Sequence, residues 1–205
     1  MPEFHNVEQR SEEWFNLRAG KITGSALSKV MSGTGTKGFT EIVNKLATER
    51  VLNRRVETET YISKDMQIGI DMEDEAIEVF ERETFIDVSH GGFWQYSDTV
   101  GDSPDGNFKG GTLEVKCVKY NTIEEYFEKN KLPSVYKWQC QHHLLCSGTE
   151  NGYFMAYNPL YKPFIVEYSV DEQLRNEMLE RFDVVNELVK KRMDFVRGII
   201  NEAVH

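Results

Sequence analysis

The stretch Thr112-Leu113-Glu114-Val115-Lys116-Cys117-Val118 constrains this chain more than any other. Side chains of a β-strand alternate between faces, so Leu113, Val115 and Cys117 share one face while Glu114 and Lys116 share the other. A strand with an apolar face thus carries two opposite charges on its second face, two residues apart. Upstream, Pro104-Asp105-Gly106 and Gly110-Gly111 are turn chemistry. Asp105 is therefore expected to end a preceding strand, Asp98-Thr99-Val100-Gly101, and to fold back toward Glu114, so that both carboxylates converge at one end of a sheet.

Hard cations such as Mg²⁺ take carboxylate, carbonyl and water oxygens, commonly with only one or two carboxylates from the protein. Asp105, Glu114 and the Val115 backbone carbonyl fit that description. Lys116 would stand beside the attacking water, where an ammonium can orient it, help withdraw its proton or offset transition-state charge. The chemistry is that of a phosphodiesterase. A turn aspartate beside a Glu–Lys pair on a solvated strand face is the plainer reading of the same residues.

A chain of 205 residues, 40% hydrophobic and 28% charged, can bury a sizeable core, and no linker, repeat or low-complexity run divides it, so one domain over 1–205 is expected. The start is polar and acidic and no apolar run approaches membrane-spanning length, which predicts a cytoplasmic protein without membrane contact. The net charge of −10 argues against a generic nucleic-acid binder, yet it leaves room for a nuclease with a local positive groove. The odd number of cysteines, Cys117, Cys140 and Cys146, predicts reduced core thiols. Helical spacing leaves only Cys140/His143 and His142/Cys146 as neighbours, so these four are expected as core and polar helix positions rather than a zinc site.

Periodicity predicts helices over 12–19, 25–31, 40–52, 64–83, 122–129, 134–145 and 171–198, and strands over 85–88, 92–96, 98–101, 112–118, 152–157 and 163–168. The fold class is α/β, a central mixed β-sheet flanked by helices. One residue is out of pattern. Ile70, Glu73, Ile77 and Phe80 recur at helical spacing, which puts Glu73 on a stripe that should be buried. A buried or stripe-edge partner would satisfy it, or it is a third acid aimed at the metal site.

Four blocks in order resemble the lambda exonuclease (YqaJ-like phage alkaline exonuclease) family of PD-(D/E)xK nucleases. They are Trp14 to Ser25, similar to W-x3-R-x-G-x-I-T-x-S; Gly69 to Glu73, similar to G-x3-E; Ser103 to Gly106 with Leu113 to Cys117; and Tyr136 to Gln141, similar to Y-x2-Q-x-Q. The resemblance implies a restriction-endonuclease-like core with Asp105, Glu114 and the Val115 carbonyl holding Mg²⁺, or Mn²⁺ in its place, as two ions, with Glu73 as a further acid near the water or a metal. Lys116 would be the catalytic lysine, and Gln139 would lie near it or near the scissile strand. Arg18, with Ser25 and Thr23, would bind the 5′ phosphate, and Tyr136 and Gln141 would line the site. The family further implies 5′→3′ digestion of one strand of linear duplex DNA to mononucleotides, a homotrimeric ring, a single-strand annealing protein as partner, and a phage or prophage protein in a bacterial cytoplasm. A structure- or sequence-specific endonuclease on the same core, and a non-catalytic DNA-binding module, are the rival readings.

Overall fold

A computed structural model of the chain describes residues 2–56 and 64–200. Strand β1 (Glu3–His5) leads to α1 (Glu12–Arg18), whose start is fixed by Ser11, its side-chain oxygen accepting from the Trp14 backbone N–H at 3.2 Å. Gly20, at φ +71°, turns the chain away from α1, a conformation glycine adopts without strain. A short 3-10 turn (Gly24–Ala26) then runs into α2 (Leu27–Val30), so the helix expected over 25–31 is split in two. Thr36 caps the next helix, α3 (Lys37–Leu52), accepting from Phe39 N–H.

The helix expected over 64–83 is two: α4 (Lys64–Asp71) and α5 (Glu73–Thr84), interrupted at Met72. No strand covers 85–88. Phe85 instead ends α5 in the left-handed conformation and stands 92% exposed, so its β propensity is overridden by the helix cap. Strands β2 (Ser89–His90), β3 (Phe93–Ser97), β4 (Val100–Asp102), β5 (Gly106–Phe108) and β6 (Gly111–Cys117) follow. Then come α6 (Tyr120–Lys129), α7 (Lys137–Ser147), β7 (Asn151–Tyr157), β8 (Phe164–Ser169) and α8 (Glu172–Ile199). Helix α7 begins three residues later than its periodicity suggests, with Tyr136 as its N-cap residue.

The strands form two sheets rather than one. β1-β3-β4 is antiparallel throughout, and β2-β5-β6-β7-β8 is mixed, with β6 and β7 parallel and every other pair antiparallel. The parallel pair requires a crossover, which α6 and α7 supply.

Strand β6 has the two faces its sequence specifies. Leu113 and Val115 pack with Ala76, Ile77 and Phe80 of α5, and Cys117 lies at the edge of that cluster. Behind the sheet, Ile123, Tyr126, Cys140 and Leu144 of α6 and α7 pack on Phe154 and Phe164. A third cluster joins Ile22, Leu27, Phe39 and Leu46 to Met178, Phe182, Val185 and Val189 of α8. Among the described residues no helix is long and apolar enough to cross a membrane.

Candidate active site

Glu114 sits at the middle of β6 with its side chain entirely buried, on the face opposite Leu113 and Val115. Its Oε2 meets Nε2 of His143 at 2.7 Å, and its Oε1 pairs with the ammonium of Lys116. Asp105, in the link from β4 to β5, turns its carboxylate back onto β6, where Oδ2 accepts the Val115 N–H at 2.8 Å and lies 3.9 Å from Lys116 Nζ. Asp105, Glu114 and Lys116 are thus brought together as their spacing predicts. The route differs in detail, because Asp105 follows β4 by three residues and the hairpin partner of β6 is the short β5.

Electrostatics make this cluster short of cation. Burial, then the neighbouring Glu114 charge, raise Asp105 to about 7, with Lys116 pulling the other way. Burial also works against ionised Glu114, but Lys116 and His143 outweigh it and hold that carboxyl below its usual value. Burial works against the Lys116 charge, but Glu114 and Asp105 outweigh it and hold the ammonium above its usual value. Two buried carboxylates, one paired with Lys116 through Oε1 and one pushed up by burial and by its neighbour's charge, make a donor set suited to a hard divalent cation. The residues fit the metal implied by the motif.

Glu73 opens α5 with its side chain 23% exposed and pairs with Arg10 at 3.1 Å. It borders the same hollow as Asp105 and adds to the negative potential there. The stripe position therefore has both a partner and a view of the site. Tyr136 stacks on Phe154, with ring centroids 5.0 Å apart, and lies 5.7 Å from the Lys116 ammonium. Gln139 is half-buried in the first turn of α7, and its side-chain amide makes no hydrogen bond to another described residue. Gln141 is a correction. Its amide donates to Ser169 O at 2.8 Å and accepts from Asp171 N–H at 2.9 Å, where β8 passes into α8. That is the end of the sheet where Ser169 faces Asn151 and Gly111, whereas Lys116 pairs with Ala156 at the other end. Two residues along a helix reverse direction, so Gln139 and Gln141 cannot both face the carboxylates.

A second cavity, of about 280 Å³, opens beside α1. Arg18 crosses its wall, stacked 4.1 Å over the Trp14 ring, with one guanidinium nitrogen 3.4 Å from Thr23 Oγ and 3.3 Å from Ser25 Oγ. Lys21, Lys29, Lys45 and Arg55 also line it. Burial pushes Arg18 below its usual value while Asp102 pulls it up. Several cations with two hydroxyls in one small hollow are matched to an anion of phosphate size.

Residues that the spacing did not single out join the two places. Asp102, at the end of β4, is 2% exposed and accepts from Gly24 N–H and Ser103 N–H through Oδ1, each at 2.9 Å. Its Oδ2 meets Nδ1 of His142 and of His143, each at 2.7 Å. Ser103 Oγ receives the Trp14 indole N–H at 2.9 Å, which ties α1 to the Pro104-Asp105 turn. Burial works against a charged His143, but Asp102 and Glu114 outweigh it and raise the ring to about 10, so both its nitrogens donate. An adjacent histidine pair inside the apolar run Cys140 to Cys146 was the available signal for this network. The residues that converge differ from the four of that run: Asp102, His142 and Cys146 place ligand atoms within 4.8 Å of one another, a grouping able to hold a metal ion, while the same carboxylate accepts from four donors. All three cysteines are free thiols.

No curated protein matches the sequence. Among solved structures, the alkaline exonuclease LHK-Exo of Laribacter hongkongensis superposes with a TM-score of 0.82 at 24% identity, covering 92% of this chain and 97% of that one. LHK-Exo in complex with dAMP gives 0.81 at the same identity and coverage. A phage-related exonuclease of Haemophilus somnus 129PT gives 0.62 at 14% identity, covering 90% of this chain and 99% of that one. These likenesses fix the fold. A family model for the YqaJ-like viral recombinase domain matches residues 13–150, which span the cationic hollow, the carboxylates, Lys116 and the histidine pair. The chain therefore belongs to the YqaJ-like viral recombinase domain family.

Proposed function

We propose that the chain is a Mg²⁺-dependent deoxyribonuclease that digests one strand of linear duplex DNA from its 5′ end to mononucleotides, leaving 3′ overhangs for an annealing partner. The observation that carries this reading is the pairing of a carboxylate and lysine cluster with a separate cationic hollow built on the same framework. A divalent cation, when bound, lowers the pKa of water and polarises a phosphoryl oxygen. Asp105, the Glu114 oxygen that faces Lys116 and the Val115 carbonyl are the groups that would hold it. Lys116, fixed between both carboxylates, would offset the negative charge that gathers on the phosphoryl oxygens as the bond breaks. Glu73 would orient the attacking water from the α5 side, and Gln139 offers an uncommitted amide to the scissile strand. Arg18, Thr23 and Ser25 would hold the terminal phosphate, which limits attack to strands that present an end. A single nucleotide bound to LHK-Exo supports mononucleotides as the product.

Digestion of linear duplex carrying a different label on each 5′ and 3′ end, with and without Mg²⁺, tests this. Labelled mononucleotide should leave from 5′ ends only and only with metal, covalently closed circles should survive, and Lys116→Ala should lose at least about 100-fold in rate. Cutting of closed circles would give the endonuclease reading instead. Digestion without metal would remove the assigned site.

A further inference from the structure

Glu114 is held in place by a residue that itself never reaches the reacting atoms. His143 is fully buried on α7, one nitrogen on Glu114 Oε2 and the other on Asp102 Oδ2, both at 2.7 Å. Asp102 in turn accepts the N–H of Gly24, the residue between Thr23 and Ser25 whose hydroxyls meet Arg18. An unbroken run of short hydrogen bonds thus passes from the wall of the cationic hollow to the carboxylate beside Lys116. The close fit at its origin is enforced by sequence, because a Cβ on residue 24 would lie 2.8 Å from both Asp102 oxygens.

We infer that Asp102 and His143 are a positioning dyad, which aims one oxygen of Glu114 at the metal and holds that oxygen in register with the hollow that takes the strand end. The inference rests on the proposed nuclease reading. With Oε2 held by His143, Oε1, which also meets Lys116, is the oxygen left to face a cation, so Glu114 would bind it through a single oxygen. Removing such support behind a metal ligand typically costs 10–100-fold in metal affinity or activity, and the loss falls first on metal binding. The dyad reaches further than an ordinary support. Its other end holds the backbone of the hollow, so a change at Asp102 should disturb recognition of the terminal phosphate as well, whereas a change at His143 should act on the metal end alone.

The test compares His143→Gln and Asp102→Asn with the wild type in three measurements: Mn²⁺ binding without DNA by calorimetry, the Mg²⁺ concentration giving half-maximal digestion, and the rate ratio for 5′-phosphoryl against 5′-hydroxyl ends. His143→Gln keeps one N–H donor of similar reach. It should bind Mn²⁺ about 10-fold or more weakly, need correspondingly more Mg²⁺, recover most of its rate at saturating metal, and leave the end preference unchanged. Asp102→Asn should weaken metal binding and shrink the end preference together. A folded His143→Gln with wild-type Mn²⁺ binding and Mg²⁺ dependence would overturn the inference, and so would an Asp102→Asn that keeps its end preference. Should either variant fail to fold, a Mg²⁺ titration of the ¹⁵N-histidine-labelled wild type decides the matter. The His143 ring signals should move over the concentration range that activates digestion, and stationary signals would overturn the dyad. If instead the wild type digests DNA without metal, it is the metal-dependent reading of the site that falls.

Discussion

At the scale of single residues, Asp102 carries the most consequence for the least visibility. Four donors converge on a carboxylate that is removed from water. Burial works to raise it, but His143 and His142 outweigh that and hold it well below 3.8, the value it takes when unfolded. A group depressed in this way stabilises the fold fully above its unfolded value and loses that contribution as pH falls toward its folded one. The stability difference between wild type and Asp102→Asn, followed by urea unfolding, should hold steady near pH 5 and shrink as pH drops below about 4. A difference independent of pH in that range would contradict the ionic reading. Asp102 was hard to find in the sequence because its partners come from residues 40 and 41 positions later, on α7, and from Gly24 far upstream. Asp105, Glu114 and Lys116 were easy to find for the opposite reason. A strand and its hairpin bring them together locally, so their geometry is written in the alternation of the chain itself.

At the scale of elements, legibility followed the period of the apolar pattern. Helices α3 and α8 and strands β6, β7 and β8 lie within two or three residues of their expected bounds, because each buries one consistent face. Where the pattern was short or ambiguous, caps and sheet edges decided. The run 85–88 yielded to the C-terminus of α5, and β1 exists only because β3 offers it an edge. The 3-10 turn at Gly24–Ala26 is the element on which the hollow depends most directly. Gly24→Ala would force a methyl against the Asp102 oxygens at 2.8 Å and should cost about 1–3 kcal/mol. Gly35→Ala, where a methyl meets nothing within 4 Å, should stay within about 0.5 kcal/mol. Thermal unfolding of the pair separates them. Equal losses would mean the turn is free to shift and the hollow is not fixed by its backbone.

At the scale of the whole molecule, a chain with net charge −10 must confine any grip on DNA to a small area. The hollow beside α1 is one such area, with Arg18, Lys21, Lys29, Lys45 and Arg55 gathered on it. The family resemblance implies that three copies close into a ring, an arrangement that would let acidic outer surfaces coexist with a basic bore. Sedimentation equilibrium should then return about three times the chain mass, and a monomer at the concentrations used for digestion would remove the ring. The two sheets add something of their own. β4 belongs to one and β6 to the other, and Asp102, His143 and Glu114 bolt them together across buried ionic contacts. Opening that seam would separate charges that are paired at short range. On the proposed nuclease reading, the distance from the hollow to the carboxylates is set when the chain folds, a fixed gauge against which a strand end would be measured.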